Sequence, residues 1–114
     1  MDLLGISMNN QKWQSLTISD LLEHREEWNI VDIRDGNSFA QGHIPGAINL
    51  NNNNIQQYVD EHEFETPLVV VCYVGNSSKG AAEIMAGAGF DTVYSLEGGM
   101  KQWSMMQPDL IAYD

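Results

Sequence analysis

Apolar positions along the chain fall into short unbroken runs that alternate with helical spacings. The densest run is Leu68-Val69-Val70-Val71, opened by Pro67. An uninterrupted, largely β-branched run fits a strand buried on both faces, and this one is predicted to reach Tyr73. Ser15-Leu16 predicts a short first strand. Thr17 with Asp20 three residues on resembles a capping box, with Asp where Glu or Gln is preferred. Ile18, Leu21 and Leu22 then carry a helix to about Glu26. Asn29–Arg34 predicts a second strand, Gly36–Gln41 a turn or short helix, and Ala47–Leu50 a third strand. Between them Gly42-His43-Ile44-Pro45-Gly46 is irregular by composition. Ile55, Tyr58, Val59 and His62 fall at i, i+3, i+4 and i+7, so a helix with one apolar stripe follows. After the central strand, Ser78–Gly87 reads as a helix with Ala81, Ile84, Met85 and Ala88 inward. Gly87 or Gly89 closes it. Thr92–Leu96 predicts the last strand, and Gly98-Gly99 turns into a final helix with Met100, Trp103 and Met106 as a core stripe.

Strands alternating with helices predict an α/β fold: a single domain with a parallel five-stranded sheet and helices on both faces. Residues 1–14 are expected to be an N-terminal extension, polar at Asn9, Asn10 and Gln11, and residues 15–114 the domain. Asn51 to Asn54 reads as a loop and cap. In sheets of this type the loops at the carboxyl ends of the strands carry the ligand site. Arg34-Asp35, Cys72 to Ser77 and Glu97-Gly98-Gly99 are therefore expected on one edge.

Composition narrows the functions. The chain has 114 residues and a formal net charge of −11, which repels phosphate backbones and anionic lipid. Neither a nucleic-acid nor a membrane partner is expected, and any anion site must be local, built of backbone amides and one or two cations. One cysteine cannot form an internal disulfide. The first residues lack a basic stretch followed by an apolar core, and no apolar run is long enough to span a bilayer. These features suggest a reducing, cytoplasmic location. One Cys and three His do not make a zinc site, so no metal is expected.

The candidate chemistry is at Cys72, where the central strand ends. Gly75 and Asn76 tolerate left-handed backbone, and Ser77 and Ser78 are N-cap residue types ahead of a helix. A thiol there faces a ring of backbone N–H groups and the positive end of a helix dipole, and both favour the thiolate. By residue type alone a buried structural thiol is the commoner reading; the position between strand and helix favours a reactive one. The remaining candidates are plainer. His43 is expected to be a hydrogen-bonding loop residue, because a low-pKa thiolate needs no base. His24 and His62 are expected to be partly exposed on helices. Glu61, Glu63 and Glu65 read as a solvated face.

Four blocks taken together resemble the rhodanese (thiosulfate sulfurtransferase) domain. They are Val31-Asp32-Ile33-Arg34-Asp35, Gly42-His43-Ile44-Pro45-Gly46-Ala47-Ile48, Cys72 to Ala82, and Leu96-Glu97-Gly98-Gly99 with Trp103. The loop looks like that of the GlpE-type single-domain bacterial members. The resemblance implies sulfur transfer by double displacement, with Cys72 as nucleophile and persulfide carrier. Thiosulfate would be the donor, with sulfite released. The acceptor would be cyanide or a thiol, thioredoxin-like dithiols included, and no cofactor is needed. The amides and side chains of Tyr73, Val74, Gly75, Asn76, Ser77 and Ser78 would cradle the transferred sulfur. Asp32 and Arg34 are candidates to support the loop from behind or to form an ordinary strand-end ion pair. Lys79 is a candidate source of positive potential.

The chain departs from the common loop pattern. Many relatives carry Arg early in the loop or at its end, where Tyr73 and Ser77 stand here, and Val74 is apolar. Weak thiosulfate binding is the expected consequence. A phosphatase or arsenate reductase of related fold would need Arg six residues beyond the Cys, and that position is Ser78. The loop is also too short for a tetrahedral oxyanion. Two further alternatives are a persulfide carrier for a specific protein and a non-enzymatic binding module. The second usually lacks the Cys.

Overall fold

The computed structural model describes residues 12–113, in which five strands alternate with five helices. They are β1 (Trp13–Leu16), α1 (Ile18–His24), β2 (Asn29–Asp32), α2 (Gly36–Ala40), β3 (Ile48–Asn49), α3 (Ile55–Glu61), β4 (Leu68–Val71), α4 (Ser77–Ala88), β5 (Val93–Leu96) and α5 (Gly99–Met106). The strands form one sheet in the order β1-β5-β4-β2-β3, and every pair is parallel. This is the α/β architecture expected from the alternation.

β4 runs through the middle, and all four of its residues are buried. Val69 and Val71 join a core with Leu21, Met100 and Trp103, so α1 and α5 cover that face. Leu68 and Val70 point the other way, into a core with Tyr58, Ala82 and Met85 from α3 and α4. A strand with helices on both faces has no solvent side, which is why its sequence does not alternate.

Several boundaries differ from expectation. β1 starts at Trp13, because Trp13 to Leu16 pair in register with Val93 to Leu96. Residues 1–11 of the expected extension lie outside the described range. β2 stops at Asp32, whose carboxylate accepts from the Arg34 amide at 3.0 Å and turns the chain out of the ladder. β4 stops at Val71, because the next carbonyl, that of Cys72, accepts from Met100 N instead of a strand. α1 ends at His24, where the amides of Glu27 and Trp28 both turn back to its carbonyl. The Trp28 ring stacks on the imidazole, with centroids 4.2 Å apart. Thr17 caps α1 by accepting from Asp20 N at 3.1 Å, the one-way half of the capping box.

α4 begins one residue earlier than expected and presents a different face. Ser78, Ala82, Met85 and Ala86 are inward, whereas Ile84 is 62 % exposed, Ala88 is exposed and Ala81 is half-buried. Ser78 bonds to Cys72 and Ser95 on this same inward face, in line with Ala82 and Met85 packed in the core. Of the two expected glycines, Gly89 closes it, at φ +128°. In α5, Met100 and Trp103 are buried but Met106 is 49 % exposed. The chain folds back over Trp103, whose indole N–H donates to Leu110 O at 2.8 Å, and the last turn overhangs the surface beside Thr17 and Ile18.

Candidate active site

The only cysteine sits one residue past β4 and is 4 % exposed. Its sulfur is turned into the loop. Gly75 N donates to Cys72 Sγ at 3.1 Å and Ser78 N at 3.3 Å, with Ser78 Oγ 3.2 Å away. As a thiol, Cys72 donates its hydrogen to that hydroxyl; as a thiolate it accepts from it. The expected serine caps are absent. Asn76 occupies the N-cap position of α4 without a side-chain bond, and Ser77 is exposed. The sulfur takes the place of a capping oxygen, accepting the Ser78 amide that an Asp or Ser at N-cap would otherwise accept.

This geometry decides the charge. Burial pushes the Cys72 pKa up, but the Ser78 hydroxyl and the amides of Ser78, Gly75 and Val74 more than offset it. The thiol therefore ionises below its ordinary range. No cation is among these groups.

Glycines seat the loop. Gly75 has φ +98°, and a Cβ there would stand 3.0 Å from Gly98 N. Met100 N donates to Cys72 O at 2.9 Å and Lys101 N to Tyr73 O at 2.8 Å. The first turn of α5 thus holds the backbone of the nucleophile candidate, and the loops after β4 and β5 meet as the topology predicted.

The other candidates are placed as follows. Tyr73 and Val74 form the rim of the loop, 57 % and 42 % exposed, and Asn76 is exposed. Lys79 is exposed on the first turn of α4 and is not among the groups holding the sulfur. Asp32 is 1 % exposed and takes Arg34 bidentately, with Nη2 to Oδ2 at 2.8 Å and Nε to Oδ1 at 3.0 Å. Arg34 Nη2 also donates to Gly42 O at 2.8 Å. The pair ties the end of β2 to the irregular segment after α2. Arg34 and Tyr73 line a common depression of about 430 Å³. His43 is buried, stacks on Phe39 with centroids 3.7 Å apart, and has Nδ1 2.7 Å from Phe39 O. His24 and His62 are partly exposed, and Glu61, Glu63 and Glu65 are exposed.

Ser95 was not anticipated. It lies on β5, 2 % exposed, with its hydroxyl 2.7 Å from Ser78 Oγ. The available signal was a small aliphatic hydroxyl in the Val-Tyr-Ser-Leu strand, since a buried polar group needs a partner.

A family model, the rhodanese-like domain, matches residues 17–106. The chain belongs to the rhodanese-like family. Within that family the chain is of the GlpE type: it is 48 % identical over 93 residues to the thiosulfate sulfurtransferase GlpE of Shewanella oneidensis, covering 80 % of this chain and 92 % of that one. Sulfurtransferase is the activity class these two findings support. Among solved structures, a rhodanese-related protein from Thermoplasma volcanium superposes with a TM-score of 0.76 at 24 % identity, over 90 % of this chain and all of that one. That likeness concerns the fold. A rhodanese-like domain protein from Staphylococcus aureus gives a TM-score of 0.68 at 29 % identity, over 79 % of this chain and 90 % of that one.

Proposed function

We propose that this protein is a thiosulfate sulfurtransferase working through a Cys72 persulfide. In the first half-reaction the Cys72 thiolate attacks the outer sulfur of thiosulfate. A sulfur–sulfur bond to Sγ forms, the bond to the sulfonate sulfur breaks, and sulfite leaves with the bonding pair. In the second, cyanide or a thiolate attacks the outer sulfur of the persulfide, and the pair of the broken bond returns to Sγ. Small thiols and thioredoxin-like dithiols are the proposed acceptors. A reducing, cytoplasmic setting suits a thiol that must start each cycle unoxidised.

The observation that carries this reading is the sulfur itself: a lone thiol, ionised below its ordinary range by two backbone amides and a hydroxyl at 3.1 to 3.3 Å. Tyr73, Val74, Gly75, Asn76, Ser77 and Ser78 are the proposed cradle for the transferred atom. Asp32 and Arg34 are proposed to brace the neighbouring strand end. Phosphoryl transfer is disfavoured because Ser78 stands where such enzymes need Arg, and its hydroxyl is committed to the sulfur. Turnover of an aryl phosphate would overturn that exclusion.

Mass spectrometry after thiosulfate treatment tests the proposal. Wild type should gain one sulfur atom, which cyanide removes as thiocyanate. Cys72→Ser should show neither. Thiocyanate production by that variant would refute the assignment.

A second reading has one observation in its favour. Tyr73 and Val74 leave an exposed apolar rim beside the sulfur, which suits a protein donor or acceptor better than a small anion. On that reading Cys72 carries persulfide for a partner and thiosulfate turnover is incidental. Faster loading from a protein persulfide than from saturating thiosulfate would favour it.

A further inference from the structure

Cys72, Ser78 and Ser95 form one buried line of sulfur, hydroxyl and hydroxyl, spaced 3.2 Å and 2.7 Å. Ser78 is 0 % exposed and Ser95 2 %. Among the described residues Ser78 is the only hydrogen-bond partner of the Ser95 hydroxyl.

Counting hydrogens shows which state this line suits. Each hydroxyl has one hydrogen to donate. With Cys72 as a thiol, three hydrogens share the two links of this line, so one of them is left without an acceptor within it. A buried donor left unmatched is costly. With Cys72 as a thiolate, Ser95 donates to Ser78 and Ser78 donates to the sulfur. Both hydrogens are then accepted.

We propose that Ser95 is a positioning residue for the sulfur chemistry, its hydroxyl holding the Ser78 hydrogen on Cys72 Sγ whenever that sulfur carries the negative charge. The catalytic consequence rests on the sulfurtransfer reading; the geometry does not. In that cycle Sγ is negative before it attacks the donor and again after the persulfide bond breaks. Ser95 therefore serves both half-reactions without touching donor or acceptor.

The test is the pH dependence of Cys72 alkylation by iodoacetamide, which needs no sulfur donor. Ser95→Ala should move the midpoint to higher pH by about one unit, a tenfold loss of thiolate at pH values below it. Ser78→Ala should move it at least as far. Because Ser95 acts through Ser78, adding Ser95→Ala to Ser78→Ala should move it no further. Thiosulfate:cyanide kinetics of Ser95→Ala should show kcat reduced on the order of tenfold, in step with the thiolate fraction, with KM for thiosulfate little changed. Ser95→Thr and Ser95→Val form a second pair of nearly equal shape, usable if the alanine variant does not fold. Threonine should keep the wild-type midpoint and valine should shift it. An unshifted midpoint in Ser95→Ala, equal midpoints for threonine and valine, or a full additive shift in the Ser78→Ala background would each overturn the inference. Wild type that alkylates at low pH but forms no persulfide would instead sink the sulfurtransfer reading and leave Ser95 in place.

Discussion

Gly99 lies against the backbone of Cys72. A Cβ on Gly99 would stand 2.5 Å from the carbonyl oxygens of both Cys72 and Tyr73. Those two carbonyls are the ones that accept the amides of Met100 and Lys101. Gly99 also has φ +56°, a conformation unfavourable for a side chain. Gly99→Ala must therefore push α5 away from the loop. We expect persulfide formation to fall roughly 100-fold, the scale of a misplacement near 1 Å. The loading rate by mass spectrometry measures it, and a wild-type rate would show that the contact does not position the sulfur.

Cys72 should react at lower pH than an ordinary thiol. Its folded pKa lies below the ordinary thiol value of 9.0. Iodoacetamide alkylation should accordingly reach half its maximal rate below the midpoint of a small-molecule thiol run alongside. Stability follows the same sign. In the window between the folded and unfolded pKa the unfolded chain binds more protons, so wild type gains stability over Cys72→Ser as pH rises. The gain is complete above the unfolded value and lost as pH falls through the folded one. Denaturant titrations across that window, with a flat difference, would contradict the placement of charge on the sulfur.

The Asp32–Arg34 pair predicts a stability defect. Asp32 is 1 % exposed and accepts both the guanidinium and the Arg34 amide. Removing the carboxylate leaves a largely buried cation that keeps the hydrogen bond to Gly42 O and loses its bidentate partner. Asp32→Ala should lose about 3 kcal/mol, more than an exposed pair would. Urea unfolding reads this directly, and a loss below about 1 kcal/mol would mean that the pair is no better than a surface one.

Tyr58 predicts the opposite. Its ring is buried in the α3–α4 core beside His62 and Phe90, and its hydroxyl has no hydrogen-bond partner among the described residues. Tyr58→Phe removes that unmatched group and should stabilise by about 1 kcal/mol. Burial also raises the phenol to about 12, from 10.0. Between those values the unfolded chain has lost the proton that the folded one keeps, so wild-type stability falls as pH rises. Tyr58→Phe should lack this component of the alkaline loss. Identical pH profiles for the two proteins would contradict the burial of the hydroxyl.

Much of the molecule is readable along the chain. Leu68 to Val71 announces a strand without a solvent face, and the structure puts a helical layer on each side of it. The order of strands and helices brings the segments after β4 and β5 to one edge, where Gly75 meets Gly98. α4 shows the limit. Its apolar residues allow more than one inward face, and spacing alone pointed to Ile84 and Ala88. The face that packs on the sheet is the one that also carries Ser78 to the sulfur, with Ala82 and Ala86 buried in their place. Met106 continues the stripe of Met100 and Trp103 in sequence, but it lies half exposed in a surface depression with Thr17, Ile18 and Gln102.

Local composition and order were enough to establish an α/β chain whose single thiol stands between its central strand and a helix, because strand burial and loop chemistry are written in neighbouring residues. The groups that touch the sulfur belong to the loop that follows it, and what stands behind them was settled only in three dimensions. Ser95 is 17 residues from Ser78, and the α5 amides lie further still from the carbonyls they bind. Such contacts depend on how parallel strands come into register, and short-range pattern carries little information about that.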